Sequence, residues 1–558
     1  MDLFRVKNTS VERASSCYVM ETYEASKTPK TPGDAEAGTS GVLRDSEAAN
    51  IFTSNLGLIV QYVAVGFLSG AFPSTIYPFM QAYLNASGAQ MTTAYTLVLL
   101  PPSFSVFYGA LSDCLPLFGY RRRPYMIIGW SICVVMMFVM GCSDVGQPYF
   151  LNSSDRAISP EKYTPAIETR LNRGAPSKAG LYVVLMGIAA FGRTLANVCT
   201  ESVVVELARR EPVETRGRTQ SSMMAISAFS AAVAQVMTGL VFNGEDYGGS
   251  FDFSISFPQY MLILAIATTP IVPVSWFCVQ ESAKPRVSFS KYVSDFWTTM
   301  QTRAVYQFAF YSYFSGIFAL FSYTAESPIQ LFMVGVEPIN TTVTDTIGTV
   351  MIMTSFIVTS KYGLEWNWRM MIVVTAVVAI SMDAVCVFIT VWDVFRSQWF
   401  WLGLPVATSV PTYVNYLIGT FIAVELVGEG QEGAMFGLLT NVANLSRPVA
   451  TALTNIVDSS WGITNERVQV DDYSVRRDIT ETVLLMYAMT AVSLLFVFLL
   501  PKQKRETQEL KRSGGSSKLL GAVTVGYLAI ALLWCLLMNL FVMLPSTSCL
   551  VAVGGDGC

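Results

Sequence analysis

GALSDCLPLFGYRRRPY, residues Gly109–Tyr125, decides how the rest of the chain is read. One apolar run ends just before it and another begins just after it, so one aspartate and three arginines fall in a short turn between two hydrophobic helices. Turns of this kind collect Lys and Arg on the inner face of a membrane. The segment is therefore a hinge between two spans.

More spans follow on both sides. Of 558 residues, 52% are hydrophobic and only 14% charged, a balance that excludes a soluble enzyme and fits an all-α polytopic membrane protein. Apolar runs of about 20 residues, the length a helix needs to cross the hydrocarbon core, lie at 52–81, 91–112, 124–142, 179–206, 218–242 and 257–279. A second group lies at 303–335, 344–361, 369–391, 401–426, 433–457 and 480–500, with one further run at 519–544. The expected domains are a disordered cytoplasmic tail at 1–50, a six-helix bundle at 51–280 and a cytoplasmic link at 281–302. A second six-helix bundle at 303–501, a basic cytoplasmic segment at 502–518 and a thirteenth, C-terminal transmembrane helix with a short outer tail at 519–558 complete the chain. VVVEL at 203–207 and IAVEL at 422–426 end the fourth and tenth runs, as two related halves would require.

Orientation follows from the cations. With the N-terminus inside, alternate loops place 25 Lys and Arg in the cytoplasm and 9 outside, and Arg193 and Arg447 fall within spans. The glycosylation sequons at Asn85, Asn152 and Asn340 then all fall on outer loops. Thirteen crossings put the C-terminus outside, where Cys549 and Cys558 share one side and could form a disulfide. The other cysteines sit mostly in apolar segments, as small buried hydrophobes do. A plasma membrane is the expected location, with an organelle membrane as the alternative.

There is no histidine. Zinc sites, Ser-His-Asp triads and histidine relays are excluded in their usual forms, and no G-x-x-x-x-G-K-[ST] phosphate loop is present. No metal, cofactor or nucleic-acid partner is expected. Charges inside spans are costly and usually face a cavity or a partner. Arg193, Asn197 and Glu201 recur every four residues and form one helical stripe. Arg447 reaches a similar depth in the second half, and the two arginines read as an anion-binding pair that clamps a carboxylate or phosphate, with pairing to carboxylates that hold helices together as the alternative. Glu326, followed by Ser327 and Pro328, stands where proline weakens the helical ladder. Asp383 reads as one half of a structural pair. Glu206 and Glu425 close the fourth and tenth spans and can reach Asp113 and Arg121, Arg122 and Arg123 as gating partners, or remain solvated end charges. The seventh run carries nine aromatic residues between Tyr306 and Tyr323, of which two or three can face a cavity.

SDCLPLFGYRRRPY, the helix end VVVELARREP with Gln220 and Ser221 beyond it, and GEGQEGAMFGLLTNVANLS at 428–446 together resemble the folate-biopterin transporter family of the major facilitator superfamily. The resemblance covers 51–500 and implies the twelve-helix fold of two six-helix bundles. It also implies uptake of folates, pterins or similar solutes across the bilayer, coupled to protons. Arg193, Asn197, Glu201, Glu326 and Arg447 are then the candidate solute site. Two stretches depart from the family: Pro101, Pro102 and Ser105 stand where members commonly have Pro-Trp and a lysine, and Asn197 and Glu201 stand where two aspartates are usual. A proton-coupled sugar symporter shares the G-x-x-S-D pattern but lacks Tyr120 and the VVVELAR helix end. A non-transporting receptor or scaffold has no need of a mid-membrane site shared between halves.

Overall fold

The computed structural model describes residues 56–553, apart from short stretches of which 156–162 and 282–287 are the longest. The expected tail at 1–50, and with it Cys549 and Cys558, lie outside the described residues. Among these residues there is no strand, only isolated bridges such as Leu117 with Tyr120. Among the described residues ten helices are long and apolar enough to cross a membrane, from Leu56–Tyr83 to Lys518–Phe541. The passages at 303–334, 398–426 and 432–458 are helical as well. The first of them is interrupted at 321–323, and the last carries Glu432, Arg447 and Asp458.

In a bilayer no hydrophobic force drives helix against helix, so close backbone approach has to supply the packing. Gly129 of the Arg123–Cys142 helix and Gly192 of the Ala175–Ala208 helix face each other so tightly that a Cβ on either would lie 2.5 Å from the other's carbonyl oxygen. That contact fixes the rotation of the helix bearing Arg193. The Arg218–Val241 helix packs on Leu56–Ile76 and, on another side, on Pro338–Val358. The Ser105–Cys114 helix packs on Glu432–Asp458. The first and second groups of runs are thus joined along two seams.

Several expectations need correction in detail. The link at 281–302 is not simply polar: Phe289–Met300 forms an amphipathic helix whose Tyr292 and Met300 are buried. The basic segment likewise contains a helix, Lys504–Ser513, with Lys504 and Thr507 buried. Asn340 lies not on a loop but in the first turn of Pro338–Val358, its amide donating to Gln398 Oε1 at 2.7 Å. Asn85 and Asn152 are exposed between helices. In the seventh passage the helix breaks ahead of Glu326, and Pro328, lacking an N–H, offers no helical donor to the Thr324 carbonyl. The freed amides are taken up by the Glu432–Asp458 helix: Ser322 N donates to Thr454 Oγ1 at 3.1 Å and Thr324 N to Asp458 Oδ2 at 2.7 Å. Most aromatics of that passage serve packing. Tyr313 and Phe314 lie against Tyr527 of the last helix, and Phe310 and Phe318 against Phe496.

Candidate functional site

The opening motif builds a closed end. After the Ser105–Cys114 helix the chain reverses at Phe118 (φ 54°) and Gly119 (φ 84°), with Leu117 and Tyr120 exchanging both backbone hydrogen bonds. Two successive residues at positive φ are what a two-residue hairpin turn demands. The turn delivers Arg121–Arg123 to the start of the next helix. There the carboxylate of Glu281 accepts the backbone N–H groups of all three, at 2.7–3.1 Å, and neutralises that helix N-terminus.

Asp113 does the same for a helix of the second group. Its carboxylate accepts Ala434 N at 3.0 Å and Gly433 N at 3.4 Å, the open donors of the Glu432–Asp458 helix, and also Tyr292 Oη at 3.0 Å from the link helix. Arg122, 1% exposed, donates to the same carboxylate and to Ser112 Oγ, and lies 3.9 Å from Glu432. Burial, the largest influence, would pull the Arg122 guanidinium down, but Asp113 first, with Cys199, Glu206 and Glu432 adding to it, together outweigh burial and hold the pKa above the ordinary value. Burial, and then Asp113, push the Tyr292 hydroxyl up, so it stays a donor. The helices can meet here because both contact residues are glycines: a Cβ on Gly109 would sit 2.2 Å from the backbone carbon of Gly433. Cys114, 4% exposed, is sealed beneath Tyr292 and Ala434.

A second cross-connection lies alongside. Glu425, 6% exposed, accepts Arg216 Nη1 at 2.8 Å and Gln508 Nε2 at 2.9 Å. Lys511 Nζ donates to the carbonyls of Glu425 and Val427, and Lys504 Nζ to that of Arg216. Glu425 therefore does not reach Arg121–Arg123; Arg216 is nearer and claims it. Glu206 shares with Arg121, Arg209 and Arg210 the lining of a cavity of about 510 Å³. Beside the Asp113 bonds to Gly433 and Ala434, Glu432 also joins the Arg122 cluster to the second group, and it lies 3.5 Å from Arg209. Sequence reasoning missed Glu281, Tyr292, Glu432 and Arg216. The local signals were Glu432 standing at the head of an apolar helical run and Tyr292 in the helical spacing of the link.

Deeper in the molecule, the Ala175–Ala208 helix carries the predicted stripe. Arg193 donates to Ser69 Oγ of the first helix at 2.7 Å, and Asn197 Nδ2 to Glu201 Oε1 at 3.0 Å. All three side chains are half-buried. Glu201 lies within electrostatic reach of Tyr62 on the first helix and of Tyr416 on Gln398–Leu426, so both groups of helices face it. Arg447 is exposed beside Tyr413, and Glu326 is exposed beside Asp383. Among the described residues no hydrogen bond or ion pair joins either to the stripe. Asp383 accepts the Tyr487 hydroxyl at 2.6 Å.

Comparison with known proteins gives this geometry a setting. The chain is 22% identical over 441 residues to the folate-biopterin transporter of Synechocystis, a match covering 76% of this chain and 77% of that one. Shorter matches are to the probable folate-biopterin transporter 4 of Arabidopsis thaliana (24% identical, 32% of this chain and 30% of that one) and folate transporter 1 of Plasmodium falciparum (22%, 27% and 24%). The chain thus spans under a third of the length of these last two. Among solved structures, the proton:xylose symporter XylE bound to 6-bromo-6-deoxy-D-glucose aligns at a TM-score of 0.53 with 13% identity, over 83% of this chain and 99% of that one. A D-xylose-proton symporter aligns at 0.52 with 14% identity, over 81% and 98%. These likenesses are of fold alone, and the fold is the major facilitator type. The pattern of the BT1 family matches residues 65–149 and 171–518, which takes in the Asp113 turn, the Arg193 stripe and the Glu432 helix. On that match the chain belongs to the BT1 family, whose members and fold are those of membrane transporters and not of enzymes.

Proposed function

We propose that this chain is a proton-coupled secondary carrier of folate- or pterin-like solutes that works by alternating access, with the Asp113 end facing the cytoplasm. The observation that carries the reading is the half-buried stripe of Arg193, Asn197 and Glu201, faced by Tyr62 from one group of helices and Tyr416 from the other. A site lined by both halves is one that rocking of the halves exposes to each side in turn. The names of the relatives point to the solute class, and the excess of Lys and Arg in the inner loops points to the sidedness.

The residues suit that chemistry. A glutamate tail offers carboxylates to Arg193, with Arg447 as the second clamp once the halves close on the solute. A pterin's amino-pyrimidine edge donates to Glu201, whose rotamer Asn197 holds, and its flat rings stack on tyrosines. Glu201 or Glu326 takes the coupling proton, since there is no histidine to do so. Asp113 and Arg122 with Glu432, and Arg216 with Glu425, hold the inner end shut while the site faces outward.

Labelled folate, biopterin, S-adenosylmethionine and sucrose supplied to cells expressing the chain, at two external pH values, test this directly. Folate or biopterin should accumulate faster at the lower pH. Arg193→Ala should abolish that uptake while the protein still reaches the membrane, and undiminished uptake in the variant would refute the site.

A further inference from the structure

Arg209 and Arg216 of the first group of helices and Gln508, Lys511 and Arg512 of the Lys504–Ser513 helix line a cavity of about 330 Å³ together with Val424 and Glu425. Four cations meet one carboxylate there, and that carboxylate is already bound by Arg216 and Gln508. The other acids nearby are also engaged. Glu211 accepts Gly217 N and Thr219, and Glu432 lies against Arg209 and Arg122. Burial, and then repulsion from Arg209 and Arg216, pull the Lys511 ammonium down to about 8. Excess positive charge at the inner rim of a membrane protein usually sits in solvent. Here it is folded into a pocket between residues of the first group of helices and the helix that follows the second.

We propose that this cavity is a binding site for a phosphate-bearing anion, and that its occupancy holds the inner end of the carrier shut. Arg216 is committed to Glu425 and to the carbonyls of Arg209 and Glu211. The guanidinium groups of Arg209 and Arg512 and the Lys511 ammonium, however, converge on the same hollow and suit several tetrahedral oxygens rather than a single carboxylate. The anion has two possible sources, the headgroup of an acidic phospholipid in the adjoining leaflet or a soluble polyphosphate. Arg209 and Arg216 come from the first group of helices, and Lys511 and Arg512 follow the second. A bound phosphate therefore bridges them and has to be released before the halves separate. The inference rests on the alternating-access reading for its consequence but not for the site itself.

The test uses the full chain, purified in detergent, with short-chain phosphatidylinositol 4-phosphate, inorganic pyrophosphate and, as control, short-chain phosphatidylcholine. Binding is followed by thermophoresis, and closure by the rate at which a maleimide labels Cys114. At least one phosphate probe should bind, phosphatidylcholine should not, and Lys511→Gln and Arg512→Glu should each weaken binding roughly tenfold. Arg512 is exposed, so its variant guards against a folding defect in the other. Binding of the lipid alone assigns a headgroup, and binding of pyrophosphate assigns a soluble polyphosphate. The bound probe should also slow Cys114 labelling severalfold. No binding by either probe, or binding that ignores both variants, would overturn the site. Binding without slower labelling would overturn its closing role, and neither result depends on which solute is carried.

Discussion

Replacing Asp113 with asparagine separates a gate from a mere brace. The substitution keeps shape and volume but removes the charge that Ala434 N, Gly433 N, Tyr292 and Arg122 all address. Arg122 lies on the same side of the seam, so its loss weakens both conformations alike. Only the bonds to the Glu432–Asp458 helix distinguish closed from open. A charge-assisted bond to a helix N-terminus contributes about 2 kcal/mol, and the amide oxygen of asparagine retains part of it. Arg122, released, can also close on Glu432 from 3.9 Å. The net bias toward opening is then about 1–2 kcal/mol, or roughly five- to thirtyfold in population. Cys114 reports it without an added probe, being sealed under Tyr292 and Ala434. Maleimide modification, quantified on the Cys114 peptide by mass spectrometry so that exposed Cys142 and Cys278 do not interfere, should accelerate by that factor. An unchanged rate in a folded Asp113→Asn protein would mean that the seam does not open, and the gating argument would fail.

Gly109→Ala should act in the same direction through sterics, since the new Cβ meets the Gly433 backbone at 2.2 Å and overpacking costs about 1–3 kcal/mol. Cys114 labelling should rise and uptake fall, whereas Gly348→Ala, with nothing within 4 Å of its Cβ, should change neither. Glu281→Gln should behave differently, because Glu281 and the helix it caps lie in the same group of spans. Thermal unfolding should show a loss of about 1–2 kcal/mol, with Cys114 labelling unaltered.

What the sequence reveals of this molecule depends on how far apart the interacting residues lie. Spans are written locally, in runs of apolar residues long enough to cross a bilayer, and the order of helices is legible for that reason. The Arg193, Asn197 and Glu201 stripe is legible too, since its residues sit four apart on one helix. Asp113 is conspicuous among apolar neighbours, but its partners are not: Tyr292 and Ala434 lie 179 and 321 residues away, and no periodicity connects them. Gly109 reads as part of a turn motif, while its physical role is to admit Gly433. The link helix was there to be found. Phe289, Tyr292, Val293, Phe296, Trp297 and Met300 follow helical spacing, but the polar residues ahead of them hide it. Glu425 has the opposite fault, since an acid at a helix end next to an arginine cluster invites a pairing that the nearer Arg216 pre-empts.

Two cross-seam contacts raise the question of whether the inner end opens as one body. Glu425→Gln removes the charge that Arg216 and Gln508 share, and of these only Arg216 belongs to the first group of helices. Its cross-seam cost should be about 1.5–3 kcal/mol, yet the cavity beside Glu425 is not lined by Cys114, which is packed under Tyr292 and Ala434. If the end opens as one body, both variants bias the same equilibrium. Labelling of Cys114 then rises in Glu425→Gln as well, and in the double variant with Asp113→Asn the two free energies add. If instead the Asp113 contact frays by itself, Cys114 cannot sense Glu425, and the double variant labels no faster than Asp113→Asn alone. A carrier that alternates access has to show the first behaviour. A fixed bundle with a loose corner shows the second, so this cycle tests the transport mechanism even before the solute is known.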